Sequence, residues 1–457
     1  MGSSLELLVS ALRKRGVRIA FEDGQGPEVK RRALQATTFN GAIELGARAL
    51  VECADEPTVQ SVVRVAASEG VPLAVVAGGH DMWARGFVDG NLILDVRRMS
   101  QVRADPAAGE VTVGGGTLTR DVLAALPDEM VTVTGTLLGV GLTGLAIGGG
   151  YGTLTSRFGL SADCIRRARV VLADGTVATA SEEEDADLLW ALRGGGSGMG
   201  VVTALTLALH PLPKVLNAML TWPLDHAKEA MLHAQDLLQR HPVELSFFMG
   251  FLTVPAGEKV LFTIPFWTGN SAAGEALLQA LASRDGAHLV YQRWSTFKET
   301  FNEEAEKAWP KGRHYHLLTR TLRTLNAGAI DILVEGARRM PAPTSAIILH
   351  DFHGTPASVP RNATAFALRE DHFVVEIIAH WEPAAECDRG VERSWAERLD
   401  VELSHVALPG GYTNLLKPSE IDRVRQFYGA SATRLLEIKR RVDPADLFRS
   451  GVGRLVG

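Results

Sequence analysis

The sequence predicts an α+β fold with two domains, and three observations predict it. A chain of 457 residues is longer than one hydrophobic core usually supports. Glycine clusters are frequent up to Pro211-Leu-Pro213 and then give way to longer strands of alternating character. The last segment is too short to fold alone, so we expect it to pack on the first half. We therefore predict one domain from residues 1–210 and 405–457. The second, residues 211–404, should hold an antiparallel sheet flanked by helices.

The charge pattern favours small-molecule partners. The formal net charge is −6, from 47 basic and 53 acidic residues that are mixed along the chain. This pattern provides no basic stripe for nucleic acid and no polybasic segment for a membrane surface. The first residues read as an amphipathic helix rather than a signal peptide, so we expect a cytoplasmic protein.

The three cysteines, Cys53, Cys164 and Cys387, are far apart in the sequence. They show neither the spacing of a disulfide framework nor that of a metal site. We therefore predict no bound metal and interpret them as small buried apolar side chains.

The first half begins as an α/β unit. Apolar spacing over residues 58–70, with a glycine at the end, predicts a helix, and residues 73–77 predict the strand after it. That strand leads into Gly78-Gly79-His80-Asp81, a turn whose glycines allow close backbone approach beside a histidine. Strands are predicted at 91–96 and 110–113.

The centre of the first half is a segment without charged residues, residues 130–156, which we call the glycine segment. Eight of its residues are glycine and six are threonine. It is long enough to cross a bilayer, but each glycine costs a helix interior roughly 1 kcal/mol relative to alanine. Adjacent glycines instead leave backbone N–H groups free to face an anion. We interpret the segment as part of a buried cofactor site.

A dinucleotide fingerprint lies within the glycine segment, as Gly139-x-Gly141-x-x-Gly144 with Asp163 downstream. A nicotinamide-binding Rossmann unit would need a helix opening at Gly144. Three adjacent glycines stand where that helix should run, which argues against it. A nicotinamide-dependent dehydrogenase is therefore the less favoured alternative, and a colourless purified protein would support it.

The remaining elements follow from periodicity and turn signals. A hairpin is predicted over residues 168–180, a helix over 182–192, and a glycine-rich loop at 193–200 that enters a strand ending near His210. The second half is predicted to hold helices at 225–240, 272–282 and 325–340, and strands at 243–252, 259–266, 345–352 and 372–381. Helices at 418–427 and 430–442 end the chain.

Four motifs in this order resemble the berberine-bridge-enzyme-like branch of the vanillyl-alcohol oxidase and p-cresol methylhydroxylase flavoproteins, which have a PCMH-type FAD-binding domain. The resemblance covers nearly the whole chain. The motifs are Gly78–His80 before Asp89–Asp95, the GGGYG end of the glycine segment with residues 157–163, LWALRGGG at 189–196, and Tyr412-Thr-Asn414 with residues 438–448. The resemblance implies FAD held between two α/β subdomains, with the sheet of the second domain above the isoalloxazine ring.

The resemblance further implies that His80 is attached covalently to the flavin 8α-methyl carbon. A neutral imidazole is a suitable nucleophile at pH 7. Many relatives attach the flavin a second time through a cysteine where this chain has Leu137, so a single attachment is expected. Val76-Ala77 replaces a common arginine-serine pair, which leaves the diphosphate largely to backbone N–H groups.

The cofactor contacts implied in this way belong to the turn around His80, the glycine segment, the strand after residue 199 and the terminal motif. They are Val76, Ala77, Gly78, Gly79, His80, Asp81, Met82, Thr134, Gly135, Gly139, Val140, Gly141, Leu142, Gly144, Gly148, Gly149, Gly150, Tyr151, Gly152, Gly200, Val201, Val202, Tyr412 and Asn414.

Family members take hydride from a C–H bond that bears a hydroxyl or an amine, and a base removes the heteroatom proton. Tyr412 is the leading candidate for this base. Its rivals lie on strands of the second half: His350 or Asp351, which alternation places on opposite faces, and Glu376, a charged residue in an apolar strand.

The sequence thus predicts an FAD-dependent oxidase that acts on a small molecule and reduces dioxygen to hydrogen peroxide. A flavin dehydrogenase with another electron acceptor has the same motifs and stays open. The substrate and the oligomeric state, including a homodimer, also stay open.

Overall fold

The computed structural model describes residues 4–449 apart from 23, 44, 45, 88–90, 302, 342 and 384–388. Asp89 and Cys387, which were named above, lie outside the described residues. The protein has the predicted α+β fold.

The first half contains eleven strands among its described residues. They are β1 (Arg18–Glu22), β2 (Ala49–Glu52), β3 (Leu73–Val76), β4 (Leu92–Asp95), β5 (Val102–Asp105), β6 (Glu110–Gly114), β7 (Met130–Val131), β8 (Ile165–Val171), β9 (Val177–Ala180), β10 (Val201–Ala208) and β11 (His210–Pro211). One sheet has the order β1-β2-β4-β3, in which β4 is parallel to both neighbours, and a second, antiparallel sheet has the order β5-β6-β10-β8-β9. β7 pairs with β11.

The helices of the first half are α1 (Ser4–Lys14), α2 (Pro27–Gln35), α3 (Glu56–Glu69), α4 (Thr119–Ala125), α5 (Leu142–Ile147), α6 (Thr155–Phe158) and α7 (Ala186–Leu192). α3 shows why they form where they do. Asp55 accepts a hydrogen bond from the N–H of Thr58 over 2.9 Å at its start, and Gly70 takes φ +64° at its end. Its valines pack on the first sheet.

The second half contains β12 (Val215–Pro223), β13 (Leu245–Thr253), β14 (Lys259–Trp267), β15 (His288–Ser295), β16 (His314–Leu322), β17 (Ala346–Phe352) and β18 (His372–Trp381). They form one antiparallel sheet in the order β15-β12-β14-β13-β17-β18-β16. Its helices are α8 (Leu224–Arg240), α9 (Ser271–Ala282), α10 (Glu303–Ala308), α11 (Ala327–Arg338), α12 (Thr355–Ser358) and α13 (Arg389–Ser404).

The two faces of this sheet have different neighbours. On β17, Ile347 and Leu349 join the core formed with α8, α9, α11 and α13. Ile348 lies on the opposite face, in a cluster with Phe39 of the first half. Because strand side chains alternate, one face of the sheet is covered by helices and the other faces the first half of the chain.

The C-terminal helices, α14 (Ile421–Tyr428) and α15 (Ser431–Val442), pack on the first half. Nζ of Lys439, buried on α15, donates hydrogen bonds to the carbonyls of Gly198 (3.0 Å) and Phe448 (2.9 Å), and it forms an ion pair with Asp443. Phe448 forms a parallel bridge with Leu73 of β3. These contacts support the proposed discontinuous domain of residues 1–210 and 405–457, whose bounds stay a prediction.

Several predicted bounds were wrong. The helix predicted from residue 182 begins at Ala186, because Asp185 caps it by accepting from the N–H of Leu188 over 2.9 Å. The backbone before it forms a turn on the hydroxyl of Ser181. Several further elements, among them β12, β15, β16 and α13, were not predicted from the sequence.

Candidate active site

A cavity of about 340 Å³ lies between the first half and the seven-stranded sheet. Its first wall comes from the first half and the terminal motif: Thr38, residues 75–82 and 84–87, residues 135–137, Val140, Gly141, Gly144, Leu145, Ile147, Tyr151, Ser197, Tyr412, Asn414 and Leu415. Its second wall, which we call the sheet wall, is Phe248, Trp309, Ile348, His350, Val374, Glu376 and Ile378.

The turn after β3 brings His80 to the cavity. Gly79 takes φ +73°, and a Cβ on Gly78 would lie 2.4 Å from the backbone nitrogen of Gly141. The turn therefore fits against the glycine segment only because Gly78 lacks a side chain, and the left-handed backbone of Gly79 favours glycine at that position. The His80 ring stacks on Phe39 with the ring centroids 4.0 Å apart. Burial lowers the pKa of His80 to about 4, so the imidazole is neutral at pH 7.

Asp81 and Arg85 tie this turn to the terminal motif. Asp81 accepts from the N–H groups of Trp83 and Arg85 and forms an ion pair with the Arg85 guanidinium at 3.0 Å. The same guanidinium donates to the carbonyls of Thr413 (2.5 Å) and Asn414 (3.0 Å). The segments carrying the two motifs, more than 300 residues apart in sequence, are thereby held together at one end of the cavity.

The hydroxyl of Tyr412 accepts two hydrogen bonds. One comes from the N–H of Gly150 over 2.9 Å, and the other comes from Nδ2 of Asn414 over 2.8 Å. Both hydrogen bonds would stabilise the phenolate and so lower the pKa of Tyr412. Burial raises this pKa by more than they lower it, and the negative charge of Glu376 raises it further. The pKa of Tyr412 is raised to about 12, so its hydroxyl keeps its proton at neutral pH.

Below Tyr412 lies a second buried tyrosine. The rings of Tyr151 and Tyr412 meet edge to face with their centroids 4.7 Å apart. The hydroxyl of Tyr151 lies 2.6 Å from Nε2 of His372. Burial raises the pKa of Tyr151 well above its ordinary value and lowers that of His372 to about 3, so both side chains are neutral.

Two ionisable side chains of the sheet wall form a pair. Nε2 of His350 lies 3.1 Å from Oε1 of Glu376, and the His350 ring contacts Phe248 with the centroids 5.1 Å apart. The cross-strand register places Ile348 opposite Glu376, so His350, two residues further along β17, is the diagonal neighbour of Glu376 on the same face.

Asp351, a predicted rival base, lies on the other face of the sheet. Its carboxylate accepts hydrogen bonds from the Ser246 hydroxyl (2.8 Å) and the Phe247 N–H (3.2 Å), and it lies 3.8 Å from His353. Strand alternation separates it from His350, and it does not line the cavity.

The sequence-predicted cofactor contacts divide into two groups. Those that line the cavity are Val76, Ala77, Gly78, Gly79, His80, Asp81, Met82, Gly135, Val140, Gly141, Gly144, Tyr151, Tyr412 and Asn414. Those that do not are Thr134, Gly139, Leu142, Gly148, Gly149, Gly150, Gly152, Gly200, Val201 and Val202.

Two members of the second group support the site from behind. A Cβ on Gly148 would lie 2.1 Å from the Asn414 side chain, and one on Gly149 would lie 3.1 Å from the Tyr412 ring. These two glycines therefore let the terminal motif seat on the glycine segment. Val201 and Val202 are buried in β10.

Sequence reasoning missed several residues of the site. Arg85, Phe248 and Trp309 line the cavity, and Phe39 supports His80. The spacing of Asp81 and Arg85, four residues apart, was a usable signal for an ion pair. Phe39 and Trp309 carry no local signal, because loops far from the motifs bring them to the site.

The nicotinamide alternative does not fit this geometry. The helix after Gly141, α5, ends before Gly148 and is only six residues long. Asp163, the candidate ribose ligand, instead forms a bidentate ion pair with the buried Arg369 at 2.7 and 2.9 Å. Its carboxylate is therefore already bound by a protein group.

Comparison with known proteins agrees with the flavin interpretation. Residues 47–181 match the family described as FAD binding domain, and residues 411–452 match the family described as berberine and berberine like. An FAD-linked oxidoreductase of Pyricularia oryzae is 30% identical over 421 residues, which are 86% of this chain and 81% of that protein. This chain belongs to the berberine-bridge-enzyme-like FAD-linked oxidoreductases. The resemblance stated from the motifs is confirmed.

Two further comparisons find oxidases among the proteins to which this chain is similar. (R)-6-Hydroxynicotine oxidase of Paenarthrobacter nicotinovorans is 28% identical over 428 residues, 88% of this chain and 89% of that protein. The structure of glucooligosaccharide oxidase from Acremonium strictum superposes with a TM-score of 0.84 at 23% identity, covering 97% of this chain and 98% of that one. The structural similarity to glucooligosaccharide oxidase shows that the two chains share a fold.

FAD is the cofactor of this enzyme, and the cavity fits it. The first wall includes six glycines without a Cβ to fill the space, while the neutral His80 ring and the Asn414 amide supply polar groups. Within the described ranges, no cluster of three or more His, Cys, Asp or Glu side chains could hold a metal ion. No helix among the same residues has both the length and the apolar character needed to cross a bilayer.

Proposed function

We propose that this FAD-linked oxidoreductase is an oxidase. It takes hydride from a C–H bond bearing a hydroxyl or an amine of a small molecule, and dioxygen receives the electrons to give hydrogen peroxide. The observation that carries the proposal is that His80, Tyr412 and the His350–Glu376 pair all face one cavity. Bound FAD supplies the hydride acceptor. The oxidase name of the Paenarthrobacter relative gives further support.

The proposed attachment of FAD is a single bond from an imidazole nitrogen of His80 to the flavin 8α-methyl carbon. Forming it would release one proton from the methyl group and one from the imidazole and leave two electrons in the flavin, which dioxygen, the acceptor of the proposed oxidase, would remove. His80 lines the cavity with a pKa of about 4, so its ring has a free lone pair at neutral pH. The FAD of the glucooligosaccharide oxidase is both 6-S-cysteinyl and 8α-N1-histidyl. Leu137, at the cysteine position of such relatives, lines the cavity here but has no sulfur to form a second bond.

Glu376 is our proposed base. A base must accept the proton of the substrate hydroxyl or ammonium group, and a carboxylate facing the cavity has a free oxygen for this task. His350 contacts Oε1 at 3.1 Å and so orients the carboxylate. Tyr412, the leading candidate from sequence, holds its own proton because its pKa is about 12.

Tyr412 then has a positioning role. Because Gly150 and Asn414 donate to its oxygen, its own O–H is left to point elsewhere. A neutral hydroxyl at this place can donate a hydrogen bond to the substrate heteroatom and direct that atom toward Glu376. Tyr412 as the base remains the alternative.

Anaerobic mixing followed by exposure to air tests the oxidase proposal. A panel of alcohols and amines should bleach the flavin absorbance without dioxygen, and air should restore it rapidly with one hydrogen peroxide formed per flavin. Slow reoxidation by air together with fast reoxidation by a quinone or a dye would instead support a dehydrogenase.

A further inference from the structure

The sheet wall of the cavity has an uneven chemical character. Five of its seven side chains are aromatic or aliphatic, contributed by β13, β17, β18 and the segment before β16: Phe248, Trp309, Ile348, Val374 and Ile378. Leu137 and Leu415 of the first wall add further apolar surface. Side chains of this kind contact ring systems by dispersion and do not satisfy hydroxyl groups.

The ionisable groups of the sheet wall are confined to one place. They are His350 and Glu376, which lie 3.1 Å apart and are each only 16% exposed. One imidazole and one carboxylate in contact provide a single polar recognition point. Elsewhere on this wall, a polar substituent would face carbon atoms.

On the basis of the proposed oxidase function, we infer that the substrate is an apolar ring compound with one hydrogen-bond-donating head, a hydroxyl or an amine. The ring contacts the sheet wall and the head contacts Glu376. Carbohydrates and carboxylic acids are excluded, even though a glucooligosaccharide oxidase shares the fold.

The exclusion of sugars follows from their hydroxyl groups. Burying a hydroxyl without a partner costs about 1–3 kcal/mol, which is about 5- to 150-fold in affinity for each group. A disaccharide would bring several hydroxyls against the five apolar side chains of the sheet wall. The exclusion of carboxylic acids follows from charge. A substrate carboxylate at the position of the head would lie against the carboxylate of Glu376, and two negative charges at short range in a desolvated cavity repel each other.

Four probes test the inference with the holoenzyme under anaerobic conditions. Three share one ring system, 2-naphthalenemethanol, 2-naphthylmethylamine and 2-naphthoate, and the fourth is cellobiose. Two quantities are recorded: the shift of the flavin absorbance bands on titration, which reports binding, and the later bleaching, which reports hydride transfer. The alcohol or the amine should bind at least about tenfold more tightly than 2-naphthoate, and cellobiose should cause no shift.

The binding and bleaching results together test the substrate class and the oxidase proposal separately. If cellobiose bleaches the flavin and the naphthyl compounds neither bind nor bleach it, the substrate class is overturned while the oxidase proposal stands. Equal binding of 2-naphthoate and the alcohol would also overturn the substrate class. Selective binding of the alcohol or amine without bleaching by any probe supports the substrate class and counts against the oxidase proposal.

Glu376→Gln separates the two kinds of head. Loss of the carboxylate should weaken binding of the amine by about 10- to 100-fold, because a hydrogen bond to a charged group is worth about 1.5–3 kcal/mol. Binding of the alcohol should weaken less than that of the amine, because Oε1 of the glutamine still accepts a hydrogen bond from a neutral hydroxyl, and binding of 2-naphthoate should improve. Asp351→Asn, one position from His350 on the opposite face, is the matched control and should leave all four affinities unchanged. If Glu376→Gln leaves the order of affinities as in the wild type, the assignment of Glu376 to the head is wrong.

Discussion

The hydroxyl of Tyr151 lies 2.6 Å from Nε2 of His372, and Nδ1 of the same ring lies 2.6 Å from the carbonyl oxygen of Glu370. A carbonyl can only accept a hydrogen bond, so Nδ1 carries the ring proton and Nε2 accepts the proton of Tyr151. The O–H of Tyr151 is therefore directed away from Tyr412, whose ring it contacts. The floor of the active site is a neutral network with a defined direction.

This network predicts a non-additive effect of mutation. Tyr151→Phe leaves Nε2 of His372 buried without a donor, and His372→Phe leaves the Tyr151 hydroxyl without its acceptor. Each change should lower the free energy of unfolding by about 1–3 kcal/mol. The double variant should lose less than the sum, because neither polar group remains. Urea unfolding of the four proteins measures this, and additive losses would contradict the hydrogen bond.

His372 also predicts a loss of stability in acid. Its pKa is about 3 in the folded protein and near its ordinary 6.5 in the unfolded chain. As the pH falls from 6.5 toward 3, the unfolded chain binds a proton that the folded protein does not, so the free energy of unfolding decreases across this window. Below about pH 3, His372 is protonated in both the folded and the unfolded protein, so its contribution to the free energy of unfolding no longer changes with pH.

The Tyr151→Phe/His372→Phe double variant provides the comparison for that prediction. It lacks the titrating imidazole, so the decrease in its free energy of unfolding between pH 6.5 and pH 4 should be smaller than in the wild type. Urea titrations at several pH values measure both curves. Parallel curves would show that His372 is not a source of the acid sensitivity.

The proposed tether predicts where the flavin goes when the protein is denatured. Acid precipitation of the wild type should leave the flavin in the pellet, whereas His80→Ala should release it to the supernatant. Leu137→Ala, a change at another cavity-lining position, is the control and should keep the flavin in the pellet. A yellow supernatant from the wild type would refute the tether.

The sequence predicted the parts of the site that have local signals. Gly78-Gly79 marked a turn that only glycine can form, and the spacing of Tyr412 and Asn414 placed both side chains together, as their 2.8 Å hydrogen bond shows. Alternation along β17 predicted that His350 and Asp351 face opposite ways, but not which one faces the cavity. That choice depends on which face of the sheet the helices cover.

Other features were beyond sequence reasoning for a physical reason. Phe39 stacks on His80 and Trp309 closes the sheet wall, yet both belong to loops whose paths are fixed by tertiary contacts. The raised pKa of Tyr412 depends on burial and on the charge of Glu376, which the linear sequence does not place near it. The sequence therefore favoured Tyr412 as the base, and the geometry favours Glu376.

The pH dependence of flavin reduction distinguishes these two bases. If Glu376 takes the substrate proton, the anaerobic reduction rate with a naphthyl alcohol that reduces the flavin should not follow the ionisation of Tyr412 between pH 7 and pH 9. If Tyr412 takes it, only the phenolate is active, and the rate should rise about tenfold per pH unit toward its pKa of about 12.

The matching variants make the same distinction through rates. Removing a positioned base costs about 10²- to 10⁴-fold, so Glu376→Gln should slow flavin reduction by at least the lower figure with the flavin content unchanged. Tyr412→Phe removes one hydrogen bond to the substrate and should cost less, because a neutral hydrogen bond is worth about 0.5–1.5 kcal/mol. Asp351→Asn, on the far face of the sheet, should leave the rate unchanged. Three results together would identify Tyr412 as the base: flavin reduction in Glu376→Gln as fast as in the wild type, a wild-type rate that rises with pH, and slow flavin reduction in Tyr412→Phe. The Tyr412 phenolate would then have to form despite burial, stabilised by the N–H of Gly150 and the amide of Asn414.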